Sequence, residues 1–141
     1  MAQIDVIDEI FITVPPSRVA AEFADPASWR KYWPDLRLQV FANRGDQGFR
    51  WTVNGALVGS MEIWLEAVLD GTVLHYYLRA DPPGGPGGLP NRLSRRRAQS
   101  EAARRQREAK AIALGLKDKL EEGRPPGEPP VAFDKLDKHE R

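Results

Sequence analysis

The sequence predicts an α+β domain: a curved antiparallel sheet of about five strands, with two short helices after the first strand and a long C-terminal helix. Three observations carry this. Residues 4–14 alternate apolar and polar at period two. Four further period-two runs follow, at 36–43, 49–54, 57–68 and 72–80, separated by short turn signals. Residues 91–122 hold strong helix formers and no proline. At 141 residues the chain has room for one domain with a sizeable core and not for two of ordinary size.

In the first strand Ile4, Val6, Ile10, Ile12 and Val14 share one face, interrupted only by Asp8. Pro15-Pro16-Ser17 stops the strand and opens a helix, whose Val19, Ala20, Phe23 and Ala24 fall at helical spacing before Asp25-Pro26 breaks it. A second short helix, Ala27 to Tyr32, precedes Trp33-Pro34. The meander turns at 44–48, at Asn54-Gly55 and at Asp70-Gly71. A two-residue Asp70-Gly71 turn would pair Glu66 with His75, Trp64 with Tyr77 and Glu62 with Arg79 on an outer, solvated face. The inner, apolar face would then pair Ala67 with Leu74, Leu65 with Tyr76, and Ile63 with Leu78. Residues 82–90 are almost all Pro and Gly and read as a flexible connector within a domain spanning 1–122. In the long helix Ala109, Ile112, Ala113, Leu116 and Leu120 form an apolar stripe in the C-terminal half, whereas the N-terminal half shows none. Beyond Gly123 the Pro-rich, charged segment 123–141 reads as a disordered tail.

Composition narrows the chemistry. The chain has no cysteine, which excludes disulfides, thiolate metal sites and cysteine nucleophiles. Its two histidines, His75 and His139, are too far apart in character to suggest a metal site, and no glycine loop between a strand and a helix suggests a phosphate cradle, so neither metal nor cofactor is expected. Met1 to Glu9 carries three acids and no basic residue, the wrong charge for a signal peptide, and the location expected is cytoplasmic. The net charge of +1 hides an asymmetry: residues 92–110 hold eight basic residues against Glu101 and Glu108.

The order of these parts resembles the SRPBCC superfamily, which includes START-type lipid-transfer proteins and polyketide cyclase/dehydrase-like proteins with the helix-grip fold. The resemblance rests on Ile10 to Ser17, on Asp25-Pro26 with Trp29 and Trp33-Pro34, and on Gly59 to Tyr77 with its Gly71-Thr72 turn. It implies a helix gripping a curved sheet, with an apolar ligand such as a lipid, fatty acid or polyketide held between them. Some members are cyclases or hydrolases and many only bind. The family usually has about six strands after the helix pair, whereas this sequence has room for four. That shortening exposes an unpaired sheet edge, which a homodimer would cover.

The resemblance places the ligand-binding candidates at Trp33, Trp51, Met61, Ile63, Leu65, Tyr76, Leu78, Ile112 and Leu116. The residues themselves offer only one general acid–base pair, His75 with Glu66, which also reads as an ordinary cross-strand pair. Catalysis is therefore not expected, and a cyclase or dehydratase enters only through the resemblance. A rival signal is the basic surface of the long helix, Arg95, Arg96, Arg97, Arg104, Arg105 and Arg107, which suits nucleic acid or an anionic membrane. No aromatic residue is interleaved with these arginines, as base recognition would require. Two readings stay open: a carrier of an apolar small molecule, and an interaction protein with a filled core.

Overall fold

A computed structural model describes residues 3–83 and 91–122, with side chains from residue 95 onward in the second segment. The elements are β1 (Ile4–Ile12), α1 (Pro16–Ala24), α2 (Pro26–Tyr32), β2 (Leu36–Asn43), a single 3-10 turn (Gly45–Gln47), β3 (Gly48–Gly55), β4 (Val58–Val68), β5 (Gly71–Asp81) and α3 (Asn91–Glu121). The strands form one antiparallel sheet in the order β1-β5-β4-β3-β2. Each expected strand and helix is present. The connector at 84–90 and the tail from 123 lie outside the described residues.

Local chemistry sets the boundaries. Pro16 and Pro26 occupy first-turn positions of their helices, where a missing N–H costs nothing, and the Asp25 carboxylate caps α2 by accepting from the Ala27 amide at 3.0 Å. Along each strand residues alternate between the core and the outer face of the sheet. The core gathers Ile4, Val6, Ile12, Trp51, Met61, Ile63, Leu65 and Leu78 from the sheet with Val19, Phe23 and Trp33 from the helix pair and the turn behind it.

The β4–β5 hairpin departs from the expected register. Val68 stands opposite Gly71, so the turn is Leu69-Asp70, and Trp64 rather than Glu66 stands opposite His75. Leu69 takes a φ of 53° and is fully outside the fold. The reason lies in β1: a Cβ on Gly71 would come within 2.5 Å of the Ile12 carbonyl oxygen and 2.7 Å of the Phe11 ring. Gly71 is spent on close strand approach and not on the turn. Because the shift is two residues, every side chain keeps the face the pattern assigned it.

The helix also differs from expectation. Its buried stripe runs the whole described length, through Ala98, Arg105, Ala109, Ala113, Leu116 and Leu120. Alanines let α3 lie close, and it packs mainly on β1, whose outward backbone it covers. Gln106 Nε2 donates to the Ile7 carbonyl at 3.1 Å, Lys117 Nζ donates to the Phe11 carbonyl at 2.7 Å, and the Thr13 amide donates to the Glu121 carboxylate at 2.9 Å. One edge of the sheet is thus protected within the chain, and β2 forms the other edge.

Candidate functional site: the space between sheet and helix

The interior beneath α3 is an aromatic cluster supplied by four elements. Trp33 stacks on Tyr76 with ring centres 6.1 Å apart and planes 8° from parallel, Phe49 stacks on Trp51 at 5.8 Å, and Trp29 meets Trp51 edge-on at 5.6 Å. Phe23 touches Tyr32, Trp33 and Trp51. The Trp-Pro segment after α2 serves to drop Trp33 into this cluster, while Trp29 Nε1 ties the helix pair together by donating to the Phe23 carbonyl at 2.7 Å.

A void of about 20 Å3 remains between this cluster and α3, lined by Asp8, Glu9, Ile10, Phe23, Trp33, Ile63, Leu74, Tyr76, Ala109, Ile112 and Ala113. Of the candidates read from sequence, Trp33, Ile63, Tyr76 and Ile112 meet there. Trp51, Met61, Leu65, Leu78 and Leu116 are buried but pack in the core around it and do not line it. As lining residues the sequence reading missed Asp8, Glu9, Ile10, Phe23, Leu74, Ala109 and Ala113. Asp8 had a signal, being the one polar residue on the apolar face of β1. Its Oδ1 is held by Lys110 Nζ at 2.8 Å, whereas its Oδ2 is buried without a partner. The indole nitrogens of Trp33 and Trp51 are likewise buried and unpartnered. Burial pushes the Tyr76 hydroxyl well above the usual phenol range, with Glu108 adding to it, and burial with the neighbouring Glu22 carboxylate pushes Tyr32 up to about 12.

Near Tyr76, which lines the space, lies an ionic lock. Arg105, counted from sequence among the basic surface residues, has 0% of its surface exposed. Helical spacing explains this, since position 105 lies on the stripe between Ala98 and Ala109. Its guanidinium grips Asp35 with two bonds, Nη1 to Oδ1 at 3.1 Å and Nη2 to Oδ2 at 2.7 Å, and also reaches Glu101 at 2.9 Å and Glu108 at 2.9 Å. Arg104 adds bonds to Glu101 and to Asp35 at 3.2 Å. Burial alone would raise the Asp35 carboxyl, but the hydrogen bonds and charges of Arg105 and Arg104 outweigh it and hold Asp35 below its usual range. Glu101 is held low chiefly by its bond to Arg104. Arg95, Arg96, Arg97 and Arg107 are exposed on α3, as the sequence reading expected of them.

His75 lies on the opposite face of the sheet, away from the aromatic cluster. Its ring is stacked on Trp64 at 4.4 Å, with Nδ1 3.1 Å from Glu9 and Nε2 3.0 Å from Glu66. The contact with Glu66 is diagonal across the strands, a consequence of the shifted register. Among the described residues no group of three or more His, Asp or Glu side chains could hold a metal ion, and no helix is long and apolar enough to cross a membrane.

The architecture, a helix laid along an antiparallel sheet with a helix pair after the first strand, is the helix-grip fold, which similar solved structures share. The solved structures similar to this chain include the Aha1 dimer from Colwellia psychrerythraea, with a TM-score of 0.59 at 15% identity, covering 86% of this chain and 99% of that one. A polyketide cyclase-like protein from Corynebacterium glutamicum is similar with a TM-score of 0.56 at 18% identity, covering 86% of this chain and 96% of that one. No protein-family model matches the sequence, and no curated protein is similar to it.

Proposed function

We propose that this chain is a non-catalytic interaction module, a helix-grip domain filled by its own side chains that binds through its surfaces. The observation that supports the reading best is the size of the interior void. About 20 Å3 accommodates one water molecule, whereas pockets for small organic ligands begin near 300 Å3. Ala98, Ala109 and Ala113 are buried on α3, and side chains this small let the helix lie close to the sheet. The exposed arginines of α3 fit a phosphate-bearing partner, nucleic acid or an anionic membrane, although Arg105 is buried in the lock with Asp35 and the exposed Arg104 is paired there. Titration with a long-chain fatty acid, followed by intrinsic tryptophan fluorescence, tests the reading directly because Trp29, Trp33 and Trp51 all report on the interior. No saturable change is expected. A saturable 1:1 change would overturn it.

A second reading, carriage of an apolar small molecule with a polar head, is favoured by one specific observation. Trp33 Nε1 and Asp8 Oδ2 are polar atoms buried without partners in residues that line the void. A ligand would have to displace α3, breaking the Arg105–Asp35 bonds, to reach them. A cyclase or dehydratase would share that pocket and that requirement.

A further inference from the structure

The outer face of the sheet is unlike an ordinary solvated surface. Six large apolar side chains are exposed among the described residues, and four of them, Ile7, Phe41, Val58 and Trp64, stand on this face at 56%, 53%, 46% and 38% exposure. A concavity of about 420 Å3 opens between Phe41, Trp64 and Tyr77, rimmed by Arg44, Arg50 and Arg79. Trp, Tyr and Arg are the side chains that anchor protein interfaces.

Its charges are sorted by strand. On the outer face β1 carries Asp5 and Glu9 and no basic residue, whereas the opposite flank, β2 and β3 with the turn between them, carries Arg37, Arg44 and Arg50 against the one acid Asp46 in the turn. With the strand order β1-β5-β4-β3-β2, β4 is the middle strand and the two flanks lie at equal distances from it. Ladder pairing also fixes the rows across the sheet. One row reads Ile7, Tyr77, Glu62, Arg50 and then Ala42 beside the bulged Phe41, and the next reads Glu9, His75, Trp64 and Gly48, with Arg44 beyond.

We propose that this face is a homodimer interface, with a second copy of the chain related by a two-fold axis running along β4. Such an axis keeps each row opposite itself and exchanges the flanks. Ile7 then meets the Phe41 position of the second copy, Glu9 meets Arg44, and Tyr77 meets Arg50, while the Trp64 rings meet near the axis. An axis across the strands would instead place the acids of β1 on each other and the arginines on each other, so the charge pattern selects one of the two face-to-face arrangements. Glu62 also lies near the axis, where Arg44 at 3.2 Å and Arg50 at 3.4 Å already neutralise it. Five strands about 4.8 Å apart and roughly eight residues long at about 3.3 Å each offer on the order of 600 Å2 per copy, close to the roughly 800 Å2 of a standard interface. This dimer does not depend on whether the interior is filled, and it leaves the β2 edge unused.

Sedimentation equilibrium of the full chain tests it. A dimer is expected at micromolar concentration, with Glu9→Arg and Arg44→Glu each raising the dissociation constant at least tenfold, and the Glu9→Arg/Arg44→Glu double variant recovering most of the loss. Circular dichroism of each single variant confirms that it is folded. A monomer at all concentrations overturns the proposal. So does a dimer indifferent to these charge changes, and so does a double variant as weak as the sum of the two singles.

Discussion

Arg105 shows how much one side chain decides in this molecule. Its charge is fully buried, and it is tolerable only because Asp35, Glu101 and Glu108 occupy its donors. Arg105→Met keeps the bulk but takes the partner from Glu108 and leaves Asp35 and Glu101 to Arg104 alone, and because these carboxylates are partly solvated the loss falls at the lower end of the range for broken buried pairs, about 3 kcal/mol. Urea unfolding at pH 7 measures it. The same lock sets the acid response. Asp35 and Glu101 are held low in the fold, so their contribution is complete above their unfolded values and drains away as pH falls from about pH 5 downward. In Arg105→Met this dependence becomes shallower, because Asp35 loses its largest lowering partner while Arg104 still holds Glu101 low. An acid limb equally steep in both proteins would show that the lock does not produce it.

At the scale of elements, the contact of β3 with β4 at Gly48 depends on a missing side chain. At Gly48, φ is 121° and a Cβ would sit 2.1 Å from the Ile63 carbonyl oxygen, against backbone that cannot yield. Gly48→Ala is expected to lower stability by about 3 kcal/mol or more, visible as a fall in Tm of at least 10 °C, and a shift under about 3 °C would contradict this description of the β3–β4 ladder. Ala109 probes the other layer. Ala109→Leu adds three heavy atoms beside a void of about 20 Å3, so overpacking should cost about 1–3 kcal/mol in urea unfolding. A neutral result would mean that the space under α3 opens more readily than its packing implies.

The elements themselves were legible in the sequence because period two and helical spacing report burial directly. What period two could not reveal was the register of the last hairpin, since a shift of two residues leaves every face unchanged and only the Phe11 ring over Gly71 decides it. The stripe in the first half of α3 was hidden for a different reason. Alanines and a buried arginine look like a solvated helix until Asp35, seventy residues away in sequence, is brought beside Arg105. Of the nine ligand candidates, the burial of Trp33, Trp51, Met61, Ile63, Leu65, Tyr76, Leu78 and Leu116 followed from periodicity, but which of them would line a void depends on side-chain volumes summed over four elements.

For the whole molecule, the sheet has two faces with different tasks. The inner face is consumed by α3 and the aromatic cluster. The outer face keeps exposed rings and sorted charges, and α3 protects the β1 edge with Gln106 and Lys117. On the proposed reading, a helix-grip domain shortened to five strands closes over its own side chains and binds through its outside. Native mass spectrometry of the protein as purified from cells, with denaturing release of anything bound, tests that claim most directly. Each chain of the dimer is expected at its bare polypeptide mass, with nothing released. A lipid, fatty acid or polyketide-like compound released at one molecule per chain would contradict it and return the interior to the role of a ligand pocket.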